Sequence, residues 1–360
     1  MTEASRHGGQ PSPPVPRVRL VDVAREAGLS KTTVSAALNG TGRLSPEVRE
    51  RARETARRMG YRPNATARHL RAGRARLIGY VVGEFAATPW TTFLESPYFA
   101  RLTGATAAAA LRRGYAMVLL PAGTLQSEWA DLSLDAVVVA DPVADDPVVE
   151  ALLAAGIPVS TDRSVEGRPG ASWVDVDAAG AVREALDHLR GQGAAAPVLV
   201  VPDSSTRFHV EAVAAHREWC AAHSLPERVV RVAEPGNGPV VRAVESALTG
   251  PGRPDALLVV AEASPPLVLD VARRHGYEVP DDMLVVLFSE DAAAAHTEPP
   301  VTTLSLRPEA IAEAGVEQLV EVLEHGRREP AGTLVATRLD VRASSVRSRS
   351  DTSPPAGPSS

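Results

Sequence analysis

A short polar segment near the amino end carries side chains suited to reading the edges of DNA bases. Thr32, Ser35, Ala36 and Asn39 recur at helical spacing, with Lys31 at the start of the same face. Hydroxyl, amide and small side chains on one helix face can enter the major groove and reach base edges. The pattern predicts a DNA recognition helix. The alternative that remains open is the solvated face of an ordinary three-helix bundle.

The charge distribution favours a polyanion partner for this end of the chain. Residues 1–76 contain 16 Lys and Arg against 6 Asp and Glu, whereas the other 284 residues contain 22 against 38. A basic end on an acidic body is typical of a DNA-binding head joined to a separate domain, although a merely solvated basic face is the simpler alternative. Arg43 and Ser45 follow the polar segment and are expected to contact phosphates.

Three short helical patterns would position these residues on one small core. The first runs from Leu20 to Ala27 and stops at Gly28. Ser30 is the expected N-cap of the second, in which Val34, Ala37 and Leu38 form an apolar stripe. The third begins at Ser45-Pro46, a typical N-cap followed by a proline at the first helical position. The sequence therefore predicts an all-α three-helix head over residues 17–62.

The rest of the chain predicts an α/β domain. From Leu77 onward, short β-branched runs alternate with longer helical patterns. This alternation implies parallel sheets covered by helices on both faces, in two doubly wound units. The segments 1–16 and 345–360 are rich in Ser, Pro and Gly, and we expect both to be disordered tails.

Two motifs follow one another near the amino end of the chain. The run from Val21 to Ser35, followed by Leu38-Asn39-Gly40, resembles the helix-turn-helix of the LacI/GalR family of bacterial transcriptional regulators. Tyr61-Arg62-Pro63-Asn64-Ala65, with Ala67-Arg68 and Leu70-Arg71, is similar to its hinge helix, expected here over 63–76. The resemblance implies binding to a double-stranded DNA operator as a homodimer. It also adds Ser30, Thr33 and Tyr61 to the expected DNA contacts.

The hinge helix implies bending of the DNA. In the family, two hinge helices pair in the minor groove and a leucine wedges into the central base step; Leu70 matches that leucine. Asn64 and Ala67 match groove-facing positions, while a buried leucine at a domain junction is the plainer role for Leu70. Ala36 departs from the arginine that the family often has. Because alanine offers only a methyl contact, we expect a different operator sequence.

The body resembles the periplasmic-binding-protein-like domain that these regulators use to sense small molecules. The implied first lobe covers about 77–174 and 304–328, and the second about 175–303 and 329–344, within a domain of 77–344. We expect a small-molecule effector, a sugar or a derivative, in the cleft between the lobes. The expected effector-binding residues are Ser96, Tyr98, Asp162, Arg163, Arg207, Glu262, Ser289 and Glu290.

Several cleft positions depart from the family pattern. Ala261-Glu262 stands where an Asn-Asp pair is usual, Ser289-Glu290 where two aspartates are usual, and Ala212 where an arginine is usual. Since a buried hydroxyl left unpaired costs about 1–3 kcal/mol, a common sugar fits these positions less well. A constitutive DNA binder without an effector is therefore the main alternative, ahead of a small-molecule-binding module without a DNA role.

No pattern indicates an enzyme, a cofactor or a membrane protein. The sequence has neither a nucleophile elbow nor a phosphate-binding or dinucleotide-binding loop. His216, Cys220 and His223 have metal-compatible spacing, but we expect them to form an ordinary exposed helix face and predict no metal site. A single cysteine and the lack of a long apolar run predict a cytoplasmic protein, and the expected DNA binding predicts that it is associated with the nucleoid.

Overall fold

The structure is a computed structural model that describes residues 18–39, 42–61, 75–82, 95–121, 129, 132–165, 170–327 and 329–347. The chain divides into a helical unit that ends at Ala75 and an α/β unit that begins at Arg76. Some predicted features lie outside the described residues. These are the tail 1–16, nearly all of the hinge segment 63–76, and the predicted contacts Asn64, Ala67 and Leu70.

The helical unit contains the three predicted helices, α1 (Leu20–Ala27), α2 (Lys31–Asn39) and α3 (Pro46–Arg58). Gly28 closes α1 with φ 62°, a left-handed conformation that costs glycine no strain and lets the chain turn tightly into α2. The core is built from the predicted apolar stripes and includes Val23, Val34, Ala37, Ala52 and Ala56. The three-helix head is therefore confirmed.

The α/β unit alternates strands and helices along most of its length. Its first half contains β1 (Leu77–Val82), α4 (Pro97–Arg112), β2 (Ala116–Leu119), β3 (Ala136–Ala140), α5 (Pro147–Ala154), β4 (Val159–Thr161) and β5 (Ser172–Val176). Next come α6 (Ala178–Gly191), β6 (Pro197–Pro202), α7 (Arg207–Ala222), β7 (Val229–Val232), α8 (Asn237–Thr249), β8 (Ala256–Val259), α9 (Pro265–Arg274) and β9 (Leu284–Phe288). The last elements are a 3₁₀ helix (Ala292–His296), β10 (Thr302–Ser305), α10 (Pro308–His325), β11 (Gly332–Val335), β12 (Arg338–Asp340) and a second 3₁₀ turn (Ala343–Ser345).

These strands form two six-stranded sheets, one for each lobe. The first has the order β11-β5-β4-β3-β1-β2 and the second β12-β10-β9-β8-β6-β7. The pairings in the first sheet are all parallel, and in the second only β12 runs antiparallel to its neighbour β10. The two-lobe doubly wound architecture predicted from the strand–helix alternation is confirmed.

Alternate residues of each strand pack on opposite layers of helices. In the first sheet, Ile78 and Tyr80 belong to the same core as Leu102 of α4 and Val316 of α10, while Val81 faces the core of α5. The second sheet is likewise buried on both sides, by α6 and α7 on one face and by α8 and α9 on the other. Burial on both faces explains why the strands are almost continuously apolar.

The lobe boundaries differ from the prediction at the end of the chain. Residues 329–344 were expected wholly in the second lobe, but Gly332–Val335 pairs in parallel with β5 of the first sheet. Leu304, expected at the return to the first lobe, pairs with Phe288 in the second sheet, so the return follows Ser305. The strand signal of 332–335 was too short to assign, because only a partner distant in sequence makes it a strand.

The predicted disordered tail 345–360 starts too early in the sequence, because its first residues belong to the folded unit. Ser345 is fully buried, and its hydroxyl lies 2.6 Å from Thr302 Oγ1 and 2.7 Å from His188 Nε2. Arg347 donates to the carbonyl of Gly193 at 3.1 Å. These hydrogen bonds anchor the chain through Arg347, and the remaining tail residues lie outside the described part. Among the helices described, none is long and apolar enough to cross a membrane.

Candidate nucleic-acid interface and ligand cleft

The predicted recognition face of α2 lies opposite its buried stripe. Val34 and Ala37 are fully buried, whereas Lys31 and Thr32 are exposed and Ser35 and Ala36 are partly exposed. Since a helix returns to the same face every three to four residues, burial of that stripe directs the polar face outward. Asn39 is the last residue of α2, and its side chain is not among those that the structure describes.

N-caps fix the ends of the head helices next to this face. The Ser30 hydroxyl accepts from the backbone N–H of Thr33 at 3.0 Å and lies 2.8 Å from Thr33 Oγ1. Ser45 Oγ accepts from the N–H of Val48 at 3.4 Å and caps α3. Such caps stabilise a helix by about 1 kcal/mol. Both serines were predicted as DNA contacts and are exposed, so capping leaves their surface available to phosphate.

The other predicted head contacts differ in burial. Arg43 is exposed in the loop between α2 and α3. Tyr61 packs partly buried against the head core just after α3, and its backbone N–H donates to the carbonyl of Ala56 at 2.9 Å. Arg43 is therefore available for a direct phosphate contact, whereas Tyr61 fixes the exit of the chain from α3.

A cavity of about 400 Å³ lies between the two lobes, where the carboxyl ends of parallel strands meet. The segments after β3, β4, β6, β8 and β9 and the amino end of α4 supply its walls. Six of the eight predicted effector-binding residues line it: Ser96, Tyr98, Arg163, Glu262, Ser289 and Glu290. The other two, Asp162 and Arg207, do not contribute to the lining.

Asp162 instead supports the floor of the cavity. Its carboxylate accepts from the Tyr98 hydroxyl at 2.9 Å and from the backbone N–H of Asp141, and it is almost fully buried. Burial raises the pKa of Asp162, while the adjacent Arg163 guanidinium acts in the opposite direction. Arg163 donates to the Tyr98 hydroxyl at 3.1 Å and lies 5.2 Å from the ring centre of Phe208. These contacts hold Tyr98 and Arg163 in fixed orientations at the cavity wall.

Glu262 joins the two lobes across the cleft. It follows β8 in the second lobe, yet it accepts hydrogen bonds from the Ser96 hydroxyl and, at 2.9 Å, from the Tyr98 N–H at the amino end of α4. Burial raises the pKa of Glu262 to about 7, the two hydrogen bonds oppose the shift, and Glu290 and Asp291 add to it. A carboxylate is favourable at a helix amino end, which explains its attachment there despite its burial.

Glu290 forms a second bridge between the lobes. Arg101 of α4 donates to its carboxylate at 3.0 Å, and Ser305 Oγ and the Leu306 N–H each donate to it at 2.8 Å. Burial raises the pKa of Glu290, while the bonds from Ser305 and Arg101 lower it. The neighbouring Ser289 hydroxyl accepts from the Asp291 N–H at 3.1 Å, which shapes the turn after β9.

Arg207 crosses the cleft entrance instead of entering the cavity. From the first turn of α7 it donates to the Ser164 hydroxyl of the first lobe and to Glu211 at 2.6 Å. The Glu211 partner lies one helical turn further along α7. Ala212, where the family usually has arginine, is fully buried. Neither position 207 nor position 212 therefore places an arginine side chain in the cavity wall.

The cavity also contains residues that sequence reasoning did not select. Phe208 and His209 begin α7, Phe288 ends β9, and Asn237 begins α8. The Thr206 hydroxyl lies 2.7 Å from His209 Nδ1, and burial together with Arg163 lowers the pKa of His209 to about 3. His209 is therefore a neutral group in the cavity wall. The available signal was its position at the start of the helix that follows β6.

The helix face of His216, Cys220 and His223 differs from the prediction. It was expected to be exposed, but His216 and Cys220 are buried against the core, with the thiol sulphur 3.6 Å from His216 Nε2. Burial lowers the pKa of His216 to about 4 and raises that of Cys220. The expectation that this helix face is exposed was wrong, because this side of α7 packs against α6. No cluster of three metal-ligating side chains occurs within the described ranges.

Comparison with protein families agrees with both units. Residues 19–64 match the model of bacterial regulatory proteins of the lacI family, and residues 186–345 match a periplasmic binding protein-like domain. An HTH-type transcriptional regulator of Mycobacterium tuberculosis is 30% identical over 305 residues, covering 76% of this chain and 84% of the relative. The regulator CelR of Thermobifida fusca is 28% identical over 338 residues, covering 91% of this chain and 98% of CelR.

Solved structures have the same architecture. A CelR–cellobiose complex is similar with a TM-score of 0.67 at 26% identity, covering 91% of this chain and all of that one. The lac repressor dimer bound to operator and an anti-inducer has a TM-score of 0.80 at 18% identity, covering 92% of this chain and all of that one. The relatives are transcriptional regulators and not enzymes. This chain accordingly belongs to the lacI family of bacterial regulatory proteins, as a DNA-binding transcriptional regulator with an effector-binding domain.

Proposed function

We propose that this regulator is a repressor that binds a pseudo-palindromic operator as a homodimer. The observation that carries the proposal is the capped helix α2, whose polar face is directed outward beside the exposed Arg43. Each subunit places Lys31 to Asn39 in one major-groove half-site, because a two-fold symmetric dimer reads a two-fold symmetric site. Ser30, Thr32, Thr33, Ser35 and Ala36 contact the DNA, together with Arg43, Ser45, Tyr61, Asn64, Ala67 and Leu70. The protein acts in the cytoplasm on the nucleoid.

The interlobe cavity binds a small-molecule effector. Support comes from its volume of about 400 Å³ and from convergent polar groups at the carboxyl ends of the strands. A sugar or a sugar derivative is the first class to consider, since the related CelR structure is a complex with cellobiose. The effector changes lobe closure and thereby the two hinge segments, which requires that it bind the two states with different affinities.

A regulator without an effector is the second candidate. The observation in its favour is that the lobes are already joined by their own side chains, through Glu262 with Ser96 and Arg101 with Glu290. Such contacts can maintain one closed state without a ligand. In that case DNA binding would be constitutive, and the level of the protein would set its regulatory effect.

The proposal is tested by selecting bound sequences from random DNA with the purified full-length protein at about 150 mM salt. We expect a palindromic site with a central pyrimidine–purine step, which is the step most easily kinked. Recovery of sequence-independent, salt-sensitive binding alone would contradict the proposal.

The same selection with Leu70→Ala tests the hinge. Loss of the apolar wedge should weaken binding to the selected site by more than it weakens binding to random DNA. Equal binding of the selected site by both proteins would contradict the role proposed for Leu70. A screen for release of the selected DNA by small molecules then distinguishes an effector-controlled repressor from a constitutive one.

A further inference from the structure

The interlobe cavity carries far more acidic than basic groups. Seven of its lining residues are Asp or Glu, against the single arginine Arg163 in the part of the chain described. His209, which also lines the cavity, is neutral because burial lowers its pKa to about 3. A cavity with walls of low dielectric and one sign of charge attracts ligands of the opposite charge.

Three of the seven carboxylates already have basic partners. Glu290 pairs with Arg101 at 3.0 Å, Asp203 with Arg231 at 3.4 Å, and Asp141 with Arg163 at 3.9 Å. The other four form no ion pair with any described side chain; they are Glu95, Glu234, Glu262 and Asp291. The charge that remains unbalanced is therefore negative and faces the cavity.

Glu262 is the best placed of these four to bind a ligand. It is partly buried, and its two hydrogen bonds come from the Ser96 hydroxyl and the Tyr98 N–H, neither of which carries a charge. Transferring a carboxylate from water without a counter-charge is unfavourable. A cation beside Glu262 would supply that counter-charge at the centre of the cleft.

The aromatic wall and Arg163 point independently to a ligand. Tyr98 and Phe99 pack edge to face with centroids 5.2 Å apart, and Phe208 lies 5.9 Å from Phe288. Aromatic faces attract organic cations and also cover the apolar faces of sugar rings. Arg163 is only 3% exposed, yet its Nε lacks a hydrogen-bond acceptor among the described groups. That donor calls for an oxygen acceptor on a bound molecule.

We propose that the cleft binds an amino sugar, with its protonated amine at Glu262 and its hydroxyl oxygens toward Arg163. The inference rests on the proposed role of this cavity as the effector site and names the chemical class of the effector. Neutral sugars leave Glu262 without a counter-charge. Anionic sugars are repelled by the four unpaired carboxylates.

The test is isothermal titration calorimetry on the full-length protein with two disaccharides of equal size and linkage. The β-1,4-linked glucosamine disaccharide carries protonated amines where cellobiose carries hydroxyls. At about 150 mM salt, which screens exposed charges, we expect the amine to bind at least about tenfold more tightly. Glu262→Gln should lose that preference and bind the two disaccharides with similar affinities.

Glu218→Gln is the matched control, because Glu218 is exposed on α7 and does not line the cavity. It should keep the full preference for the amine. If Glu262→Gln does not fold, Glu234→Gln removes another unpaired carboxylate from the cavity wall and should weaken amine binding without affecting cellobiose.

Three results would overturn the inference: cellobiose binding as tightly as its amine analogue, no binding of the amine, or an unchanged preference in the folded glutamine variants. None of these results bears on the selection of operator DNA. A protein that selects a palindrome but prefers neutral sugars would retain the proposed function and refute the amino-sugar class.

Discussion

At the scale of single residues, the Glu262 carboxyl group couples protonation to closure of the cleft. It accepts from Ser96 and Tyr98 of the first lobe, and burial raises its pKa from 4.5 to about 7. The charged groups facing it include Glu290 and Asp291, which raise the pKa further. With its carboxyl group in these contacts, Glu262 is therefore mainly protonated below pH 7.

We predict that wild-type protein loses stability relative to Glu262→Gln as the pH rises. Between about pH 4.5 and 7 the folded state binds more protons than the unfolded state, so the free energy of unfolding falls with increasing pH in this window. Glutamine does not titrate. The two proteins should differ least near pH 4.5, and above pH 7 the relative loss should approach about 3 kcal/mol.

Urea unfolding at pH 5, 6, 7 and 8 measures this difference. Glu218→Gln, which changes an exposed carboxyl on α7, should follow the wild-type pH dependence. Parallel curves for wild type and Glu262→Gln across the whole range would show that Glu262 titrates normally.

At the scale of elements, α4 connects the lobes through its first two turns. Glu262 accepts a hydrogen bond at the amino end of α4. Arg101 of the same helix donates to Glu290 of the second lobe and to Glu309 at the start of α10. The Glu290 side chain is only 4% exposed, so its charge depends on this arginine and on neutral hydrogen-bond donors. The amino end of one helix thus receives both bridges between the lobes.

We predict that Arg101→Ala destabilises the α/β unit by about 1–2 kcal/mol, because it leaves the buried Glu290 carboxylate without its cation. The expected loss of stability is smaller than for a fully buried pair, since the Arg101 side chain is 47% exposed. Urea unfolding at pH 7 measures the change.

Arg112→Ala on the same helix is the matched control. Arg112 pairs with Glu313 at the surface, with side chains 59% and 41% exposed, and its removal should cost about 0–1 kcal/mol. Equal effects of the two substitutions would mean that Glu290 does not depend on Arg101.

The elements themselves could be predicted from local patterns, whereas the bridges between them could not. Apolar periodicity located the head helices, and β-branched runs predicted the alternation of strands and helices from Leu77 onward. Ser96 and Glu262 are 166 positions apart, and no local pattern shows that a glutamate after β8 bonds at the amino end of α4. The segment that contains the strand Gly332–Val335 was likewise assigned to the wrong lobe, because its partner β5 is distant in sequence.

Among the residues of the cavity, too, some were predicted from the sequence and others were not. Ser289 was predicted from the family resemblance, and it lies in the cavity because parallel strands bring their carboxyl ends to one edge. Arg207 was expected in the cavity because it lies near the position where the family usually has an arginine, but it bonds to Glu211 and Ser164 outside the lining. His209 was not selected, and its only sequence signal was its position at the start of the helix that follows β6.

At the scale of the whole molecule, opposite charges divide DNA binding from ligand sensing. The first 76 residues have 16 basic against 6 acidic side chains, while the remainder is acidic. The acidic unit repels DNA, so phosphate contacts should come from the head alone. The same acidic character, concentrated at the cavity, suits a cationic effector. One chain can therefore bind a polyanion and a small cation at separate sites without competition.

We predict that this division appears in the salt dependence of operator binding. Each lost phosphate contact lowers the slope of log affinity against log salt by about one, so Arg43→Ala should lower it by about two in a dimer. Affinity for random DNA should fall in proportion, because a phosphate contact carries no sequence information. Arg273→Ala, an exposed arginine of α9 in the α/β unit, should leave the slope unchanged. Titrations of the selected DNA from about 50 to 300 mM salt measure both. A similar change in slope for Arg273→Ala would place DNA contacts on the α/β unit and contradict the division of charge between the two units.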